Sequence, residues 1–237
     1  MKARLFFLSS FLLVLPQLVE AQERNRTIPE QDLEFWLSAA VEFKPFKKPD
    51  SRLYEKQFFR KFRSAVELGY RSADYLAQSK QVYGIFMASY RFTPFLRLSA
   101  EQRYTARDRY SNNTDRTDVM MQLATDIGRI GLTYRLRYQH EWLPQPEVRD
   151  LIRNAARAEW NTRKFPIDPY LGAETFQALH FQRSGLVGMR YTAGVKWRAS
   201  KANSLDLSFR HDREIGTRDP LYRYVISISY EFDWNRR

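Results

Sequence analysis

The sequence predicts an all-β fold, an antiparallel up-and-down transmembrane β-barrel of about twelve strands, with ten as the lower bound. Three observations predict it. Apolar and charged residues alternate with a period of two along most of the chain. The polar links between these segments alternate between short and long. An export signal precedes them.

The signal comes first. Lys2 and Arg4 form a short basic region, an apolar run follows from Leu5 to Leu18, and Val19-Glu20-Ala21 puts small residues where a signal peptidase reads. Residues 1–21 are therefore expected to be a signal peptide, with the barrel formed by residues 22–237. The run is too short for a membrane-crossing helix. The 237 residues contain no Cys, which excludes a lipoprotein anchor, disulfides and thiolate metal sites.

The clearest strand is Arg129 to Trp142. Ile130, Leu132, Tyr134, Leu136, Tyr138 and His140 share one face; Arg135, Arg137, Gln139 and Glu141 share the other. A helix would need apolar residues three and four apart. In chain order, the first apolar face is Phe35, Leu37, Ala39, Val41 and Phe43. Next, Phe62, Val66, Leu68 and Tyr70 stand opposite Arg63, Glu67 and Arg71. Phe86, Ala88, Tyr90 and Phe92 follow, then Leu96, Leu98, Ala100 and Tyr104 opposite Arg97, Glu101 and Arg103. Val119, Met121, Leu123 and Ile127 oppose Asp118, Gln122 and Asp126. After the Arg129 strand, Val148 to Arg163 reads as a strand carrying Arg153, Arg157 and Glu159, although Ala155, Ala156 and Ala158 would also suit a helix. Pro169 to Phe181 holds Glu174 and Phe176 in a less regular pattern. Val187 to Trp197 opposes Arg190, Leu205 to Phe209 opposes Arg210, and Tyr222 to Phe232 closes the series.

Short links fall at Thr93-Pro94, Gly128-Arg129, Phe165 to Pro169 and Ser200 to Asn203. Longer ones fall at Ser72 to Lys80, Ala106 to Arg116, Leu143 to Glu147 and Glu214 to Pro220. The pattern yields eleven segments, but antiparallel closure calls for an even number, so a twelfth is expected within Leu53 to Ala73.

Alternation alone also suits a soluble barrel or a periplasmic sandwich with its apolar face inward. A wide barrel with an arginine-rich face opposed by carboxylates favours a wet lumen. Aromatics near segment ends (Trp36, Tyr70, Tyr90, Tyr104, Trp142, Trp160, Trp197, Tyr222, Tyr230 and Phe232) suit girdles at a water–lipid boundary. The expected location is the outer membrane of a Gram-negative bacterium, with its lipid and its barrel-insertion machinery as partners. Asp233 to Arg237 run on past the final aromatic, where such chains usually stop.

The layout resembles domain-of-unknown-function family 2490, predicted outer-membrane β-barrel proteins. The matching pieces are Phe35-Trp36 with Val41-Glu42, Val82-Tyr83 with Ser89-Tyr90-Arg91, and Leu132 to Arg137. Pro169-Tyr170 with Glu174 and Phe176, Arg190 to Lys196, Asn203 to Leu207 and Ser229 to Phe232 complete the set. The resemblance implies a fold and a location and carries no functional residue.

A formal charge of +12 invites a nucleic-acid reading, but the basic residues are spread along the chain and interleaved with acids, so no nucleic-acid partner is expected. No cofactor or metal motif is present, and no enzyme is expected. A lipid-modifying membrane enzyme would need a Ser beside His140, His180 or His211 on one face; Ser208 has the wrong parity for His211. The charged stripe is the candidate site: Arg63, Glu67, Arg71, Arg97, Glu101, Arg103, Arg135, Arg137, Arg153, Arg157, Glu174, Arg190 and Arg210 would line the lumen. They would either set anion preference for a small solute in a narrow, porin-like channel or pair across strands and close it.

Overall fold

Strand side chains alternate between faces, so a segment that is apolar on one side and charged on the other must form a sheet dividing two environments. The structure is a computed structural model and describes residues 29–45, 61–107, 113–142, 149–162, 165–180 and 183–236. The expected signal peptide, residues 1–21, lies outside the described residues.

Among the described residues, eleven strands form one closed barrel. They are β1 (Glu30–Phe43), β2 (Phe62–Ala73), β3 (Gln78–Arg91), β4 (Leu96–Arg107), β5 (Thr114–Ile127) and β6 (Ile130–Trp142). β7 (Arg149–Trp160), β8 (Ile167–His180), β9 (Arg183–Trp197), β10 (Asn203–Glu214) and β11 (Leu221–Asp233) follow, and a single 3-10 turn covers Trp234–Arg236. The alanine-rich segment is a strand, and the irregular one is β8, whose register shifts at a bulge between Phe176 and Gln177.

The count of about twelve is corrected to eleven. The described part of Leu53 to Ala73 holds the single strand β2; residues 53–60 lie outside the described residues. Consecutive strands pair antiparallel, but an odd count brings the first and last strands together in the same direction. β1 and β11 pair parallel, from Glu30↔Leu221 to Glu42↔Asp233. The all-antiparallel expectation therefore fails at this one seam.

The strand starts and ends define two rims. β1 begins at the N-terminal rim, where β4, β6 and β8 end and the links at 74–77 and 215–220 lie. β11 ends at the C-terminal rim, where β1 and β7 also end and the links at 92–95, 128–129 and 198–202 lie. The links read from the sequence as long and as short do fall at opposite rims, but their lengths overlap: 74–77 is no longer than 92–95, and 161–166 is as long as 215–220.

Polarity runs opposite to that of a soluble protein. The outer face exposes Leu68 (64%), Phe86, Val119, Leu171 (67%) and Phe209, while Glu34, Asp118 (0%), Arg137, Arg153 and Asp168 are buried within. Two glycines let large rings lie flat on the inner wall. Gly69 faces Tyr83 and Gly194 faces Tyr170 in register. A Cβ would stand 2.1 Å from Tyr83 Cζ at Gly69, and 2.6 Å from Tyr170 Cζ at Gly194.

Candidate functional site

Register assigns every residue of the expected stripe to the inner face. Trp36↔Arg71 and Ala40↔Glu67 fix β2, Ile85↔Arg103 and Met87↔Glu101 fix β4, and Arg137↔Arg153 and Ala155↔Glu174 fix β6 to β8. Glu174↔Arg190 and Asp212↔Arg190 then carry the same face to β9 and β10.

Glu174 is the hub. Its carboxylate meets Arg153 at 2.9 Å, Arg190 at 3.4 Å and Arg135 at 3.8 Å. Arg153 also donates to Gln139 Oε1 at 3.0 Å. Arg190 grips Asp212 with two bonds of 2.6 Å, the bidentate geometry that guanidinium and carboxylate form best. A second knot joins Arg116 to Glu101 (3.1 Å) and Asp118 (2.9 Å), with Arg137 at 3.2 Å from Asp118. Arg157 pairs with Glu159 at 2.6 Å and reaches Asp206 of β10 at 3.8 Å; its guanidinium lies 3.4 Å from the Tyr170 ring centre. Near the C-terminal rim Arg63 pairs with Glu42, and with Asp233 at 3.6 Å.

Contacts between strands that are not neighbours can form only through the enclosed space. Arg157 to Asp206 links β7 to β10, and Arg135 to Glu174 links β6 to β8. Trp36 on β1 has the guanidiniums of Arg190 on β9 at 5.3 Å and Arg210 on β10 at 5.0 Å from its ring centre. These contacts join strands two or three places apart around the barrel. Arg97 faces Arg91 across β3 and β4 and is part of neither knot.

Sequence reasoning missed several inner residues. Trp36, assigned to the outer girdle, is 6% exposed and points inward, and its Nε1 donates to Glu34 Oε2 at 2.6 Å. Its parity, shared with Glu34 and Glu42 and opposite to Phe35 and Leu37, is the signal that would have found it. Glu34, Arg116, Asp168 and Asp212 also sit on inner positions. The other girdle aromatics divide between the rims: Tyr70, Tyr104, Trp142 and Tyr222 near one, Tyr90, Trp160, Trp197, Tyr230 and Phe232 near the other.

The outer face carries one polar row. Gln102, Thr117, His140 and Asp150 are successive register partners on β4 to β7. Thr117 donates to Gln102 Oε1 at 2.6 Å, and His140 Nδ1 lies 2.7 Å from Asp150 Oδ1. Tyr138 Oη donates to Asp150 at 2.9 Å, and Trp142 Nε1 donates to Thr117 at 3.1 Å. His211 instead stacks on Tyr224, ring centres 4.9 Å apart.

Among curated proteins none matches this chain. The crystal structure of the β domain of the Bordetella autotransporter BrkA is similar at 13% identity and a TM-score of 0.39, covering 71% of this chain and 78% of that one. The family model described as protein of unknown function (DUF2490) matches residues 33–218, and the chain belongs to that family.

Proposed function

We propose that the protein is an outer-membrane barrel exported by its N-terminal leader, with an interior closed by ion pairs, acting as a structural or surface component. The observation that carries this reading is the inverted polarity: charged residues are buried inside while large apolar side chains stand exposed outside. In water such an outer surface would drive association; in hydrocarbon it is the stable arrangement. Strands of 12 to 15 residues support it. At ~3.3 Å per residue and a tilt of about 40°, they span the hydrocarbon and reach both boundaries. The two sets of outer aromatics suit the girdles of those boundaries.

The closed interior sets this barrel apart from an open porin. A wide channel would leave its wall charges wet, whereas Arg103, Arg137, Arg153, Glu174 and Asp212 are buried. The test is migration of unheated and boiled protein on a denaturing gel, with carbonate extraction of membranes. The expected results are a heat-modifiable band and retention in the pellet; release into the supernatant would sink the reading.

One observation favours a second reading, a lipid-modifying enzyme. Thr117, His140 and Asp150 stand side by side on the outer face as hydroxyl, imidazole and carboxylate. With Nδ1 donating to Asp150, His140 Nε2 is left as an acceptor, and it has no hydrogen-bond partner among the described residues. Phospholipid hydrolysis by refolded protein that disappears in His140→Ala would support it. Hydrolysis no greater than in a heat-killed control would close it.

A further inference from the structure

Several interior guanidiniums stand outside the ion-pair lattice, and three of them gather toward the N-terminal rim, whereas Arg91 and Arg97 lie toward the other. Among the described residues, Arg71, Arg103 and Arg210 have no carboxylate within 4.0 Å. They are gathered around two rings. Arg71 lies 3.8 Å from the Trp36 ring centre and 5.2 Å from that of Tyr83; Arg103 lies 3.8 Å from Tyr83, and Arg210 5.0 Å from Trp36. Arg190 joins them at 5.3 Å from Trp36 but is already neutralised by Asp212.

Two carboxylates border the cluster, Glu67 accepting from Tyr83 Oη at 3.0 Å and Glu34 from Trp36 Nε1 at 2.6 Å, but the groups that the three guanidiniums themselves bond are neutral. Arg210 donates to the hydroxyls of Ser208 (3.4 Å) and Ser227 (3.3 Å). With its amide turned so that the carbonyl faces them, Gln81 accepts from both Arg71 (3.1 Å) and Arg103 (3.2 Å). Arg71 Nε is buried with no partner among the described residues. Aromatic faces and hydroxyls soften isolated cations but do not cancel like charges drawn together in a poorly hydrated space. A guanidinium fork presents paired N–H groups that fit the oxygens of a phosphate or sulfate better than a spherical ion.

Position supplies the way in. Arg71 lies two residues from the end of β2 and Gln81 near the start of β3, both at the N-terminal rim. Arg71 and Arg210 are half-buried, and both lie in the half of the barrel nearer that rim.

We propose that the arginines around Trp36 and Tyr83 form a binding site for an oxyanion, a phosphate or sulfate group, entered from the N-terminal rim. The proposal deepens the reading of the barrel interior by naming the solute class it holds. It requires the folded barrel but not its place in a membrane, and heat-modifiable migration of the same sample reports the fold separately.

The test measures the melting midpoint of protein refolded in zwitterionic micelles, in sodium phosphate, glycerol phosphate or sodium chloride at equal ionic strength. Phosphate is expected to raise the midpoint above chloride by ~5 °C or more. Arg71→Gln and Arg210→Gln should each remove more than half of that gain, while Lys201→Gln, exposed in the link at the opposite rim, should keep it. An equal gain with glycerol phosphate assigns a phosphate carried by a small solute; a gain with inorganic phosphate alone assigns the free ion. If Arg71→Gln does not refold, Arg210→Gln carries the comparison. Equal midpoints in phosphate and chloride, or an undiminished gain in the refolded variants, would overturn the site.

Discussion

Glu174 shows how much one inner residue can hold. Its two oxygens serve three arginines from β6, β7 and β9, and it is 7% exposed. Replacing a buried ion pair by well-packed apolar residues can be neutral, but removing one partner leaves the others charged and unmatched. Glu174→Ala is therefore expected to cost about 3–5 kcal/mol, read as an earlier midpoint in urea unfolding followed by loss of the heat-modifiable band. A loss smaller than ~1 kcal/mol would mean that water reaches the hub freely, as at surface pairs. Gly194 tests the wall itself. An added Cβ meets the Tyr170 ring at 2.6 Å and the backbone oxygen of Leu207 at 2.8 Å, and that backbone cannot give way as a flexible side chain can. Gly194→Ala should destabilise by ~1–3 kcal/mol. Gly84→Ala should be close to neutral, because its nearest neighbour there is Leu68 Cδ2 at 3.7 Å.

At the scale of strands, the period of two specified nearly everything that depends on a single segment. It separates Leu132, Tyr134 and Leu136 from Arg135 and Arg137 without reference to any neighbour, and the structure keeps that division. It could not specify partnership, which depends on register and on how far the barrel shears as it closes. So Thr117 was not recognised beside His140, nor Asp206 opposite Arg157, and the number of strands was rounded up to satisfy antiparallel closure. The parallel seam can be checked directly. Ser38 and Ser229 face each other across β1 and β11 with their hydroxyl oxygens 2.9 Å apart. The chain has no cysteine to interfere. Ser38→Cys with Ser229→Cys should oxidise to a disulfide in the folded barrel, giving a band of altered mobility that dithiothreitol reverses. Ser38→Cys paired with Ser227→Cys, one inner position along β11, should form it far less well, because disulfide geometry tolerates little misplacement. Cross-linking of the second pair in preference to the first would show a different closure.

For the whole molecule, the sequence disclosed that one surface is greasy and the other charged, but not whether the charged surface encloses water or fills itself. A barrel of this size is too wide for ordinary side chains to meet at its centre. Here long arginines and one tryptophan reach side chains two or three strands away, and no periodicity encodes that depth of reach. Charges on an open wall would steer ions, whereas the same charges locked in pairs block them. Protein refolded into planar bilayers should therefore show no steps of the size that 16–18-stranded porins give. Removing Trp36, Arg153 and Arg190 together takes out one side of the Glu174 hub and the indole that reaches toward β9 and β10. The triple alanine variant, if it still gives the heat-modifiable band, should acquire discrete conductance steps. Large steps from the unmodified barrel would show that the lattice lines a passage instead of closing it.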